Sequence, residues 1–333
     1  MTVPMGVTFA SIMALGPAAA PDVARHAEQL GYQQFWTAET TGPEAFSLLA
    51  AAGAAAPSLS LGTGVLALQL RTPMVVAMAG ATLQALHPDA DIVLGVGISS
   101  PVVTSRWHGV PYGEHPVART REYCTLLREL LGGESVSFKG DFYECSRFRL
   151  GVRLGEKRPK IVVGALNPAM LRMVGEVADG VLLNYLPASH VAWSVEQVRA
   201  GEAAAGRARG SATIYGYVHV GVCERADGIE YAKRDLWSYA VVDAYARNFE
   251  RAGFGDDVAA VRACQEAGDR DGAIAAVSDA FVDAIDIMGD ADHVRSSTQA
   301  YVDAGVEVPI VMPLPWGPDR RAVVDATLAA AMI

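Results

Sequence analysis

Cysteine, lysine and metal-spaced histidine are all scarce in this sequence, and each shortage removes a class of protein. The four cysteines, Cys124, Cys145, Cys223 and Cys264, lie far apart with no Cys-x-x-Cys pair. Neither a disulfide frame nor a zinc site is indicated, and buried free thiols are expected. None of the seven histidines stands in a His-x-His or His-Glu-x-x-His spacing, so no metal is expected. Lysines and arginines together number 27 against 37 acidic residues, a net charge of -10, which repels polyphosphate and argues against a nucleic-acid partner. Long apolar runs are missing too: every run stops well short of the ~20 residues a membrane helix needs, and the N-terminus carries no basic stretch. The expectation is a cytoplasmic protein with no membrane partner.

The sequence does hold enough apolar material for a large core, with 51% hydrophobic residues in 333. Strand-like and helix-like segments alternate along it. Gly6–Ala10 reads as a strand and Ala19–Leu30 as a helix stopped by Gly31. Gln34–Ala38, Leu59–Leu66 and Asp91–Gly95 read as strands, with helices over Glu44–Ala55 and Met74–Leu86 between them. Tyr123, Leu126, Leu127, Leu130 and Leu131 mark the apolar stripe of a helix packed on a sheet. Lys160–Gly164, Gly180–Asn184, Thr213–Val222 and Val308–Met312 complete a set of eight strands, several of them apolar on both faces. That alternation predicts a parallel sheet closed into a (β/α)8 TIM barrel. The whole chain, 1–333, reads as one domain, with insertions over 132–159 and 228–288, the second a helical insertion before the last strand.

Barrel enzymes react at the C-terminal ends of their strands. Those ends hold Ala38-Glu39-Thr40, Gly64-Val65, Gly97-Ile98-Ser99-Ser100, Gly164-Ala165, Asn184 and the stretch around Pro313. Acid–base groups are few there and glycine is common, which points to a bound cofactor that performs the reaction. In Gly164-Ala165-Leu166-Asn167-Pro168, Asn167 suits an N-cap and Pro168 a first helical residue. Backbone N–H groups at such a helix start can hold a phosphate. His108, beside Trp107, follows the fourth strand's glycine loop and can overhang a site; the other six histidines read as surface or capping residues. Glu39 is either a solvated loop residue or an acid, base or cofactor contact.

Taken together, GYQQFWTAE, SLSLGTGVLALQLRTP, DIVLGVGISSPVVTSRWHGVPY, ARTREYCTLLRELLGG, RPKIVVGALNPAMLRMVGEVADGVLLN and GDADHVRSSTQAYVDAGVE resemble the bacterial luciferase-like flavin monooxygenase and coenzyme F420-dependent reductase superfamily. The resemblance covers most of the chain. It implies a luciferase-like barrel with a (deaza)flavin at its C-terminal mouth. Gly64-Val65 then falls at a non-prolyl cis peptide beside the ring. Gly97, Ile98, Ser99 and Ser100 match the cofactor loop after strand four, and Gly164, Ala165 and Leu166 the phosphate loop after strand five. Thr40 stands where relatives that use a histidine acid carry it, so the resemblance leaves the proton donor unassigned. The version GISSPVVTSRWHGVPY is closer to the deazaflavin branch, which includes methylenetetrahydromethanopterin reductase-like proteins.

The reading that results is an F420-dependent oxidoreductase transferring a hydride between deazaflavin C5 and an unidentified small organic substrate. Glu39, Thr40 and His108 are its catalytic candidates, and Trp107 lines the substrate side. An FMN-dependent monooxygenase and a non-catalytic flavin-binding protein are the alternatives. The resemblance further implies a homodimer.

Overall fold

The structure, a computed structural model, describes residues 3–333. Eight parallel strands form the barrel: β1 (Gly6–Thr8), β2 (Gln34–Thr37), β3 (Ser60–Thr63), β4 (Ile92–Gly97), β5 (Lys160–Gly164), β6 (Gly180–Leu183), β7 (Thr213–Val222) and β8 (Val308–Pro313). Each pairs with its successor and β8 pairs with β1, which closes the sheet and leaves no edge. Closure explains the apolar strands. One face of Ile161-Val162-Val163 fills the barrel and the other meets the helices, so all three are fully buried.

Inside the barrel, Trp36, Val93, Val162, Leu182, Tyr215, Tyr217, Val308 and Ile310 pack together. Outside it, helices such as Pro116–Leu131 bury the expected stripe of Tyr123, Leu126, Leu127, Leu130 and Leu131 against the sheet. A Leu or Phe buried this way contributes roughly 1.5–3 kcal/mol. Helix Ala20–Leu30 ends where Gly31 takes a φ of 97°, a left-handed turn that glycine adopts without steric cost.

Several strand ends differ from the sequence reading by a residue or two, and two of these differences shape the pocket. The apolar run expected as one strand over Leu59–Leu66 stops at Thr63, passes through the cis peptide Gly64–Val65, and resumes as a two-residue strand, Leu66–Ala67, that pairs with β4. β4 in turn runs to Gly97, beyond the expected end at Gly95, because this returning segment supplies ladder partners for Val96 and Gly97.

The insertion over 132–159 contains an antiparallel hairpin, Val136–Lys139 with Glu144–Phe148. The later insertion carries helices Arg225–Ala240, Asp243–Phe249, Gly255–Glu266, Arg270–Ala275 and Asp279–Ile285. Leu236, Phe249, Val261, Phe281 and Ile285 give it an apolar core of its own, and Tyr185 from the end of β6 joins that core. The strand Ile287–Gly289 then pairs with the upper end of β7. Among the described residues, no helix is long and apolar enough to cross a membrane, and the four cysteines are free.

Candidate active site

The C-terminal mouth of the barrel holds a pocket of about 150 Å³ whose wall includes Gly64, Val65, Gly97, Ile98, Ser99, Gly164, Ala165 and Leu166. Eight of the nine residues named for the cofactor from sequence thus meet in one hollow, although they come from three strand ends. Val65 seats between two glycines: a Cβ added at Gly97 would stand 2.8 Å from Val65 Cγ2, and one at Gly164 3.2 Å from Val65 Cγ1. Tyr217, projecting inward from β7, donates its hydroxyl to the Gly64 carbonyl at 2.8 Å. Burial drives the Tyr217 pKa far up, so the hydroxyl keeps its proton and stays a donor. Ser99 adopts a left-handed φ of 57°, a conformation rare outside glycine and often found at functional sites. Ser100, the ninth, lies past the wall and accepts from Val103 and Thr104 at the start of the next helical turn.

The other end of the pocket is polar. Helix Pro168–Val177 starts at Asn167 as expected, but the Asn167 side chain does not cap it. Its Oδ1 accepts from Arg251 Nη2 at 2.7 Å and its Nδ2 donates to the Ala244 carbonyl at 3.3 Å. The insertion has claimed the capping group, and so leaves the helix start, with its free N–H groups, without a side-chain acceptor. Arg251 also stacks on Trp193 and reaches the Leu166 carbonyl. Burial first, and Arg247 next, lower the Arg251 pKa. Arg251 therefore faces this loop through the Leu166 carbonyl and the Asn167 side chain.

Glu39, Thr40 and His108 lie together in a second hollow with Leu70, Arg71 and Val75. The segments Gly64–Arg71 and Gly97–His108 wall both hollows. Glu39 is held tightly there. Arg71 grips it with Nε at 2.8 Å and Nη2 at 2.7 Å, and the Ala45 N–H adds a third bond at 3.0 Å. The hydrogen bond to Glu39 raises the Arg71 pKa against the effect of burial. His108 Nε2 donates to the Thr40 carbonyl at 2.6 Å, which leaves Nδ1 without a protein partner among the described residues. Trp107 is 54% exposed.

The sequence reading missed a buried polar network behind the pocket. Tyr215, Tyr217 and His219 alternate along β7 and so point inward on successive layers. His219 is buried, as is His190, whereas both read from sequence as surface or capping residues. His219 Nε2 lies 2.8 Å from Asn184 Oδ1 on the pocket wall, and Nδ1 lies 2.9 Å from Asp286 Oδ1. The pairing of Val220 with Ile287 brings the neighbours His219 and Asp286 together. Tyr185 donates its hydroxyl to Asp235 at 2.9 Å and accepts at its carbonyl from Asn248 at 2.8 Å. Burial, and then the charge of Asp286, push the Asp235 pKa up to about 7. The period-two run of inward side chains on β7 was a legible signal for His219. Asp286, 67 residues away in the chain, carried none.

A parallel barrel with a glycine-walled pocket at its strand ends, a free helix terminus and an arginine beside it is the architecture of a cofactor-using barrel enzyme. This chain belongs to the luciferase-like monooxygenase family, whose model matches residues 6–307. It is 29% identical over 303 residues to the 5,10-methylenetetrahydromethanopterin reductase of Archaeoglobus fulgidus, with 89% of each chain covered. A protein of Mycobacterium tuberculosis named for coenzyme F420-dependent oxidoreductase activity is 30% identical over 306 residues, covering 86% of this chain and 88% of that one. Among solved structures, the coenzyme F420-dependent tetrahydromethanopterin reductase of Methanopyrus kandleri superposes over 100% of this chain and 99% of its own, with a TM-score of 0.83 at 22% identity.

Proposed function

We propose that the protein is a coenzyme F420-dependent oxidoreductase that transfers a hydride between the deazaflavin and a small organic substrate. The observation that carries this reading is the pocket itself. Its backbone-rich, apolar wall at Gly64-Val65, Gly97-Ile98-Ser99 and Gly164-Ala165-Leu166 suits a flat ring. The uncapped helix start at Asn167-Pro168, with Arg251, suits an anionic tail. The name of the Mycobacterium tuberculosis relative points to the same coenzyme.

When bound, the coenzyme supplies hydride chemistry at C5. The chain's own residues orient and shield. Val65 and Leu182 present apolar surface to one side of the pocket, and Ala244 and Tyr245 close it from the insertion, limiting water at the reacting centre. The second hollow, with Glu39, Thr40 and His108 in its wall, is the side we assign to the substrate, and Trp107 precedes His108 outside that wall. Arg71 fixes Glu39 as a wall residue, and His108 Nδ1 is the group placed to give or take a proton. We read the barrel and its insertions as one domain acting in the cytoplasm as a homodimer.

The test is a fluorescence titration of the purified protein with coenzyme F420 and, separately, with FMN. Saturable binding of F420 at least about tenfold tighter than FMN is the expected result. Preference for FMN, followed by oxygen uptake with the reduced flavin, moves the protein to the monooxygenase side. F420 binding without turnover over a broad substrate panel makes it a carrier, and binding of neither overturns the pocket assignment.

A further inference from the structure

The buried His219–Asp286 pair lies one residue behind the pocket wall, and the wall residue it touches is Asn184. The Tyr185 N–H donates to Asn184 Oδ1 at 2.9 Å. An amide NH2 cannot accept a hydrogen bond, so that contact fixes which end of the Asn184 carboxamide is oxygen. Asn184 Oδ1 then faces His219 Nε2 as an acceptor as well, and Nε2 must carry hydrogen. The other ring nitrogen meets Asp286 Oδ1, which holds the imidazole in that orientation. Asp286 is fully buried, and its Oδ2 has no partner among the described residues. A carboxylate in that setting is tied to the imidazole as its compensating group. With its oxygen committed twice, Asn184 has one group left, the amide NH2 at Nδ2, which has no protein partner among the described residues while the residue lines the pocket.

We infer that Asp286 and His219 are positioning residues that lock Asn184 as a hydrogen-bond donor into the pocket, where it selects a ligand presenting a carbonyl oxygen. This rests on the pocket being the ligand site. The carbonyl belongs either to the deazaflavin ring or to the substrate, and electron density that builds on that oxygen during reduction strengthens the bond. The arrangement is indirect by design of the fold: the groups on β7 and before Ile287 never face the ligand, yet they decide what the wall offers it.

A double-mutant cycle on the full-length protein tests the idea, read with whichever of F420 or FMN the wild type binds. Asn184→Ala is expected to weaken ring binding, or turnover if the carbonyl is the substrate's, by about tenfold. His219→Leu should cost about the same alone and almost nothing further in the Asn184→Ala background, because it acts through Asn184. His219→Gln keeps an N–H near the Nε2 position and should restore most of the loss, while His219→Leu does not. A loss in affinity with turnover kept assigns the carbonyl to the ring, and a loss in turnover with ring affinity kept assigns it to the substrate. Independent, multiplying losses overturn the inference, as does an Asn184→Ala protein that behaves as wild type. In the free protein, nitrogen-15 NMR of labelled histidine should show His219 Nε2 protonated. A bare Nε2 overturns the inference without any ligand, so its failure is separable from that of the F420 assignment, which the wild-type titration decides.

Discussion

His108 and Glu39 share one hollow and yet carry very different chemistry. Glu39 spends both carboxylate oxygens on Arg71 and one of them also on Ala45, so it is poorly placed to exchange protons. His108 has one ring nitrogen satisfied by Thr40 and the other open. If His108 serves as the proton donor, His108→Ala should lower kcat by about 100-fold with deazaflavin affinity nearly unchanged. Steady-state kinetics beside the binding titration check this, and unchanged kcat removes His108 from the mechanism. The sequence made Gly64, Gly97 and Gly164 legible because a motif and its neighbours sit side by side in the chain. Asn184 was visible only as a strand end, and its function depends on His219 and Asp286, which pairing between distant strands brings to it. Spacing cannot report such contacts.

At the scale of elements, the alternation of strands and helices was readable because barrel strands are buried on both faces and the helices on one. Less readable was the way the helical insertion meets the mouth. It takes Asn167 away from its helix, closes the pocket with Ala244 and Tyr245, and places Asp235 under Tyr185. Asp235 is the element's weak point. Its neighbours Asp286, His219, Tyr185, Tyr239 and Tyr245 surround it, and its pKa is raised from 3.8 to about 7 by burial and by Asp286. The folded protein therefore holds this proton where the unfolded chain has lost it. Its contribution to stability is fully present below pH 3.8 and is lost as pH rises through about 7. Thermal unfolding should thus show the wild type losing on the order of 1–3 kcal/mol between pH 5 and pH 8 through this group. Asp235→Asn, which still accepts from Tyr185, should flatten that slope and raise the melting temperature at pH 8. An equal slope in the variant would locate the pH dependence elsewhere.

For the whole molecule, the charge pattern of the outer surface matters more than its net sign. Helices Ala45–Ala55 and Pro73–Leu86 contain no charged residue. Along the second, Val75, Met78 and Leu86 are exposed by 44%, 53% and 61% and share one face with Thr82. The first adds the exposed small residues Ser47, Ala51 and Ala54 beside it. A chain with a net charge of -10 that keeps one two-helix face free of charge lets a second copy approach there without like-charge repulsion. Small residues on one helix also allow close packing of the other. The homodimer proposed above would meet at this face, and Val75 at its end also lines the hollow of Glu39, Thr40 and His108, so dimer formation would buttress the substrate side. Met78→Lys puts a cation into the middle of the patch, where it costs nothing in a monomer because the site is exposed, but is buried in a dimer. Light scattering at micromolar concentration should find the wild type dimeric and Met78→Lys monomeric, with unchanged thermal unfolding at low concentration. A wild type that is monomeric, or a variant as dimeric as the wild type, rules this face out as the interface.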